Sequence, residues 1–119
     1  MYLTFTNDKE MLRLRSDRIV CVTSDGNYST ISMADGDEKV VTSQIGQIET
    51  MMDAQLGSEA NNFIRIGRGL IINLEFVYYI NPSKQQLVLC DSNGINKTLS
   101  ASKDALRQLK ELFDNGNLK

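Results

Sequence analysis

The stretch Asn62–Asn73, NFIRIGRGLIIN, is the part of the chain that decides the predicted fold. Apolar residues alternate with other residues in its first half, and the unbroken apolar run Leu70–Ile72 follows. A period near two with β-branched residues favours extended backbone over a helix. The stretch therefore predicts strands in the middle of the chain.

Two arginines, Arg65 and Arg68, lie inside this stretch, and Gly67 and Gly69 flank Arg68. Glycine lets a ligand or another backbone approach closely. A guanidinium on such a turn is well placed to fork onto a phosphate or onto the edge of a guanine. The stretch alone leaves a second interpretation open, in which both arginines are ordinary surface residues.

Length and composition predict one globular domain spanning 1–119. A chain of 119 residues can bury a core without metal or disulfide help. Its 41% hydrophobic and 24% charged residues are ordinary for a soluble protein, and its apolar runs are too short to span a membrane. The first ten residues do not form a signal peptide, so we expect a cytoplasmic location.

The residue types present argue against an enzyme. The sequence contains no histidine, which removes Ser-His-Asp and Cys-His catalysis and the commonest transition-metal ligand. Cys21 and Cys90 both lie in apolar stretches, so we predict buried free thiols rather than a disulfide or a zinc site. No phosphate-binding loop or dinucleotide fingerprint occurs. We expect no metal, no cofactor and no enzymatic activity.

The charge is unevenly distributed along the chain. The net charge is −2, but residues 1–59 carry −5 and residues 60–119 carry +3. A bipolar chain can present one basic face to nucleic acid, and mixing of both signs on the folded surface is the alternative.

Periodicity predicts a mainly β chain of short antiparallel strands with one central and one C-terminal helix. Besides the central stretch, strands are predicted at Tyr2–Thr6, Glu10–Arg15, Arg18–Thr23, Tyr28–Met33, Lys39–Thr42, Phe76–Ile80, Gln85–Cys90 and Ile95–Leu99. Helical spacing predicts helices near Ser43–Leu56 and Ser102–Phe113 only. Thr42 or Ser43 is the predicted N-cap of the first helix, and Ser100 or Ser102 that of the second.

Three sequence blocks together resemble a known family. They are Ile19–Ile31, then Phe63–Asn73, which looks like a signature F-x-R-x-H-R-S followed by three hydrophobic residues and N, and Leu87–Leu109, which contains the pair Ser102-Lys103 before the last helix. In this order, and over nearly the whole chain, they resemble the LytTR DNA-binding domain, an output domain of many bacterial response regulators.

The resemblance implies an elongated, mostly antiparallel β assembly whose loops enter the major groove of double-stranded DNA. It implies a sequence-specific transcriptional regulator. Carried over position by position, it also implies a set of DNA-contacting residues: Asn27, Tyr28, Arg65, Arg68, Ser102 and Lys103.

Each implied contact has its own physical basis. Arg68 could fork onto guanine O6 and N7. Lys103, at a helix start, could meet a phosphate together with free backbone N–H groups. The Ser102 hydroxyl could instead cap the helix, and Tyr28 could be a half-buried strand aromatic.

Two further residues of the signature have structural alternatives. Arg65 could reach back across the sheet to a carboxylate, and Asn73 could hydrogen-bond within a loop rather than to DNA.

The chain departs from the family signature at three positions. Gly67 stands where histidine is usual and Gly69 where serine is usual, which removes two polar side chains and predicts a looser loop. Lys103 stands where arginine is usual, which gives up a bidentate fork.

Two functions of different class follow. The first is a DNA-binding regulator without a receiver domain in residues 1–119, monomeric or weakly dimeric off DNA. A stand-alone regulator and a shortened part of a longer chain both stay open for it, and so does a separate signalling partner. The second is a β-rich protein-interaction module that keeps the fold and has lost DNA binding.

Overall fold

The computed structural model describes residues 1–116, so the last three positions of the predicted domain 1–119 lie outside the described residues. Within this part the chain forms ten strands and two α-helices. In chain order they are β1 (Tyr2–Thr6), β2 (Met11–Arg15), β3 (Ile19–Asp25), β4 (Tyr28–Met33), β5 (Glu38–Val41), α1 (Ile45–Gln55), β6 (Phe63–Ile66), β7 (Leu70–Asn73), β8 (Val77–Asn81), β9 (Gln86–Cys90), β10 (Asn96–Ser100) and α2 (Lys103–Asp114).

The strands form three antiparallel sheets. The hairpin β1-β2 stands alone, β10-β9-β8 form a three-stranded sheet, and the remaining strands form a five-stranded sheet in the order β5-β4-β3-β7-β6. The described chain measures 46 × 27 × 27 Å along its principal axes. The predicted fold class, an elongated antiparallel β assembly with a central and a C-terminal helix, is confirmed.

The strands β3 and β7 are buried on both faces because the five-stranded sheet separates two hydrophobic cores. Along β7, Leu70 and Ile72 belong to one core and Ile71 to the other. In β3, Cys21 and Val22 divide in the same way. This arrangement follows from the side-chain period of two in a strand, and it explains the apolar runs Ile19–Val22 in β3 and Leu70–Ile72 in β7.

Each core is closed by one helix and one smaller sheet. On one face α2 and the three-stranded sheet cover the first core, to which α2 contributes Leu106 and Leu109. On the other face α1 and the β1-β2 hairpin cover the second core. The helical spacing of Ile45, Ile48, Met52 and Leu56 predicts an apolar face on α1, and all four side chains are buried in the second core. The same spacing predicts Phe113 on the apolar face of α2, but Phe113 remains 38% exposed.

The predicted N-cap of the first helix is wrong. Val41 still pairs with Ser29 in the sheet, and the Ser29 hydroxyl donates a hydrogen bond of 2.8 Å to the Ser43 carbonyl. The chain is therefore held at the sheet edge until Gln44, which is the N-cap. The backbone N–H of Gln44 donates to Gln47 Oε1 at 2.9 Å, so a glutamine pair closes the helix start.

Both predicted helices are present, and the structure adds three short segments of helical backbone that the sequence did not predict. Short 3-10 helices occur at Ser16–Arg18, Gly57–Asn62 and Leu74–Phe76, each at a junction leading into a strand. Such tight turns are common connectors and carry no sequence period of their own. No helix within residues 1–116 is long and apolar enough to cross a membrane.

The prediction for the two cysteines holds for one of them. Both thiols are free, and Cys21 is buried, which raises the pKa of its thiol. Cys90 ends β9 and is only half-buried, so the expectation of two buried thiols is wrong at that position.

Asn73 links β7 to β3 through buried polar contacts. Its side chain is 2% exposed, and its Nδ2 donates a hydrogen bond of 2.9 Å to the Ile19 carbonyl. Its Oδ1 accepts from the Glu75 backbone N–H at 3.0 Å. The interpretation of Asn73 as a structural hydrogen-bonding residue agrees with this geometry.

We expect Asn73→Ala to lower the free energy of unfolding by about 2 kcal/mol, because it strands buried backbone groups without partners. Asn96→Ala is the matched control, since Asn96 is exposed and its loss should cost less than about 0.5 kcal/mol. Urea denaturation of both variants measures the difference. Equal stabilities of the two would refute the structural role of Asn73.

Candidate nucleic-acid interface

Two turns lie side by side at one end of the five-stranded sheet. The β3–β4 turn carries Gly26 and Asn27, and the β6–β7 turn carries Arg68 between its two glycines. Because β3 pairs antiparallel with β7, with Thr23 opposite Leu70, both turns must project from the same end. The Ser24 backbone N–H donates to the Gly69 carbonyl at 2.9 Å, which joins the turns directly.

The start of α2 adjoins the Arg68 turn across a groove of about 370 Å³. One side of this groove is the turn itself, and the other is the segment that leads from β10 into α2. The lining residues include Thr23, Arg68, Leu99, Ser102 and Ala105. The structure therefore brings together Arg68 and Ser102, which lie far apart in the sequence.

Arg68 and Lys103 are exposed cations in this region. Within residues 1–116 neither side chain forms an ion pair. Their charges are thus not neutralised by a carboxylate of the described chain, and both are accessible to a phosphate or a base edge.

Ser102 caps α2. Its Oγ accepts a hydrogen bond of 3.2 Å from the Ala105 backbone N–H, which is the arrangement expected of an N-cap serine. The interpretation of Ser102 as the N-cap of α2 is therefore confirmed. The exposed hydroxyl lies beside the groove, and a contact with DNA stays a prediction.

Asn27 in the β3–β4 turn and Tyr28 at the start of β4 are exposed to solvent. Tyr28 is 53% exposed, so the alternative of a half-buried strand aromatic describes its position, and a contact with DNA stays a prediction. Asn27 Oδ1 accepts a long hydrogen bond of 3.5 Å from Gln44 Nε2 at the start of α1. Both residues lie on the end of the sheet that carries Arg68.

Arg65 is half-buried and contacts both α1 and the Arg68 turn. It lies on the face of β6 that α1 covers, where its Nη1 lies 3.2 Å from Glu49 Oε1. Its Nη2 donates to the Arg68 carbonyl at 2.8 Å. The structure thus shows the alternative in which Arg65 reaches a carboxylate, here that of Glu49. A direct contact of Arg65 with DNA stays a prediction.

The two glycines beside Arg68 have different backbone conformations. Gly67 has φ 62°, in the left-handed region that side chains disfavour, and a Cβ there would meet no neighbouring atom. Gly69 is outside that region, and its carbonyl is held by Ser24. The glycines therefore define a specific turn, rather than the loosened loop expected from the sequence.

Acidic groups limit the positive field of this surface. Arg107, one turn beyond Lys103 on α2, lies 3.8 Å from Asp104 in an ion pair, so its charge is partly offset. Asp25 lies at the end of β3, next to the exposed β3–β4 turn. The surface is a mixed one with isolated accessible cations, not a continuous basic patch.

Lys84 is a further exposed cation that sequence reasoning missed. It lies in the β8–β9 turn, whose Gln85 carbonyl accepts from the Ala101 backbone N–H at 3.4 Å. This contact places the turn next to the start of α2. A lysine after Pro82-Ser83 is an ordinary turn residue in the sequence, and only the pairing of β9 with β10 reveals its location.

Comparison with known proteins identifies related domains. The family described as "LytTr DNA-binding domain" matches residues 9–114. Among solved structures, the LytTr DNA-binding domain of a putative methyl-accepting/DNA response regulator from Bacillus cereus superposes with a TM-score of 0.62 at 13% identity, covering 94% of this chain and 95% of that one. At this identity the superposition shows a shared fold. A search of curated protein sequences found no match.

Gly67→Ala should lower the free energy of unfolding by about 1–2 kcal/mol, because it forces an L side chain into the left-handed region. Gly69→Ala should cost less, since a Cβ there would lie 3.8 Å from Ser24 Cβ in ordinary contact and the backbone is not left-handed. Thermal unfolding of the two variants compares them. A larger loss for Gly69→Ala would contradict the turn geometry.

Proposed function

The chain belongs to the LytTR family of DNA-binding domains, and from this premise we propose that it is a transcriptional regulator that reads a specific sequence in double-stranded DNA through its turns. The surface that binds DNA is the end of the five-stranded sheet where the β3–β4 turn, the β6–β7 turn and the start of α2 adjoin. The accessible guanidinium of Arg68, on a turn defined by Gly67, is the observation that carries the proposal.

In this proposal Arg68 reads a base in the major groove. A turn is narrower than a helix, and the absence of side chains on Gly67 and Gly69 lets the backbone approach the groove edge. Two parallel N–H donors of the guanidinium fit O6 and N7 of guanine, which is the commonest specific arginine contact. Asn27 lies on the adjacent turn and Tyr28 begins β4 beside it, where an amide and a hydroxyl can meet sugar, phosphate or base edges.

Lys103 and the first turn of α2 bind phosphate in this proposal. The free backbone N–H groups of a helix start favour an anion, and Lys103 adds a full positive charge at the same place. Ser102 keeps its capping bond to Ala105 and supplies its remaining hydrogen-bonding capacity to the backbone of the DNA. Phosphate contacts of this kind set the orientation on the duplex but do not select a sequence.

The mixed charge of the surface predicts moderate, salt-sensitive affinity. With few accessible cations the number of neutralised phosphates is small, and the logarithm of the binding constant falls by roughly 0.9 per phosphate for each decade of salt. We propose that the protein is cytoplasmic. We also propose that it is monomeric or weakly dimeric off DNA, because the sequence of the described residues has no heptad pattern for a permanent interface. If the protein binds no DNA sequence specifically, the alternative function, a β-rich protein-interaction module, becomes the better explanation.

Arg68→Ala should weaken binding to a duplex selected by the parent protein from a random DNA pool by roughly 5- to 150-fold, with much less effect on random duplex. Lys103→Ala should weaken both duplexes about equally and reduce the salt slope by about one unit. Fluorescence anisotropy titrations at several salt concentrations separate the two effects.

Arg15→Ala is the matched control for charge. Arg15 pairs with Asp17 at 3.0 Å and lines a cavity with Met33 and Asp35, at the opposite end of β4 from Tyr28. Its loss removes the same unit of charge and should leave the selected duplex bound nearly as tightly as by the parent. If Arg68→Ala behaves like Arg15→Ala, the proposed role of Arg68 is wrong.

A further inference from the structure

Arg65 connects the helix α1 to the backbone of the Arg68 turn. One guanidinium nitrogen, Nη1, meets Glu49 Oε1 at 3.2 Å, and another, Nη2, donates to the Arg68 carbonyl at 2.8 Å. Because both nitrogens belong to one planar guanidinium, the two hydrogen bonds hold Glu49 and the Arg68 carbonyl in a defined relative geometry. A carboxylate on the second core's helix is thereby linked, through one side chain, to the residue that carries the exposed guanidinium.

The guanidinium of Arg65 lies against the first turn of α1, beside Gly46. A Cβ on Gly46 would lie 3.7 Å from Arg65 Nη1, so the guanidinium passes directly over the first turn of the helix. Glu49 lies three residues further on, which puts it on the same side of the helix.

Stability alone does not explain why Arg65 occupies this position. Among the described residues its Nε is buried and has no hydrogen-bond partner. A buried donor without a partner lowers stability, and a half-exposed ion pair returns little. An apolar side chain on this strand face would avoid that loss, so the benefit of the arginine lies elsewhere.

We infer that Arg65 and Glu49 are positioning residues that hold the Arg68 turn in the conformation that reads DNA. The inference rests on the proposed function and extends it, because it assigns α1 a part in recognition although α1 does not border the groove. Glu49 fixes one arm of the guanidinium, and the other arm fixes the Arg68 carbonyl. Arg68 can then enter the major groove of the DNA without first ordering its own backbone, which lowers the conformational entropy lost on binding.

The inference makes an unusual prediction for an acidic residue. Removing a carboxylate from a DNA-binding protein reduces repulsion of the phosphates, so simple electrostatics predicts tighter binding for Glu49→Ala. The positioning role predicts the opposite sign. We expect Glu49→Ala to weaken the duplex selected by the parent by about fivefold to tenfold, the lower part of the range for an impaired arginine–base contact.

Asp53→Ala is the matched control. Asp53 is an exposed acid one turn further along α1, and within residues 1–116 it forms no ion pair. This variant changes the charge of the same helix by the same amount and should bind the selected duplex as tightly as the parent, or slightly more tightly. Equal strengthening by Glu49→Ala and Asp53→Ala would overturn the inference.

Arg65→Lys tests whether the fork matters rather than the charge. Lysine keeps the positive charge but cannot span Glu49 and the Arg68 carbonyl in one plane. We expect it to weaken specific binding without changing the salt slope, whereas a directly phosphate-bound Arg65 would lose little on this substitution. In the Arg68→Ala background the effect of Arg65→Lys should disappear, because Arg65 acts through Arg68. Additive effects would overturn the inference.

A measurement without DNA separates this inference from the proposed function. Amide hydrogen exchange at residues 67–69 should become faster in Glu49→Ala and Arg65→Lys than in the parent and in Asp53→Ala. Unchanged exchange in folded variants would refute the positioning role even if DNA binding is confirmed. Failure of the parent to select any duplex would refute the proposed function, while faster exchange would still support the link between Glu49 and the turn.

Discussion

The antiparallel pairing of β3 with β7 is the constraint on which the rest of the structure depends. Three residue pairs join these strands, with Cys21 opposite Ile72, Val22 opposite Ile71 and Thr23 opposite Leu70. Both faces of the pair are buried, so a shift of one residue would exchange the side chains of the two cores. The register is therefore strongly determined, and with it the position of the two turns that extend from the paired strands.

Each hydrophobic core sets a different part of the candidate interface. The core beneath α2 fixes the start of that helix beside the Arg68 turn, through Leu106 and Leu109. The core beneath α1 holds Glu49 behind the same turn, where Arg65 reaches it. Packing on the two faces of one sheet thus places a helix terminus in front of the turn and a carboxylate behind it. The turns of the candidate interface are therefore held in place by contacts with both packed helices.

The sequence predicts the elements of this fold better than it predicts the site. Period-two alternation, turn residues such as Gly26 and Gly94, and the apolar spacing of the helices are local signals, and the elements they predict are present. The Gln44 cap was missed because Ser29, which holds the chain beside it, is distant in sequence. Arg65 and Lys84 show the same limitation. The strand pairing brings Arg65 to Glu49 and places Lys84 next to α2. No local sequence pattern encodes this pairing.

The central claim is that the turns at one end of the five-stranded sheet, together with the start of α2, form the DNA-binding surface. The other end is a natural internal control, since there the Ser92 backbone N–H donates to the Ala34 carbonyl and joins two different turns. A titration of isotopically labelled protein with its selected duplex, followed by amide chemical shifts, tests the claim most directly. We expect shifts concentrated at residues 25–28, 67–69 and 101–104, with residues 34–37 and 92–95 nearly unchanged. Shifts concentrated at residues 34–37 and 92–95 would contradict it.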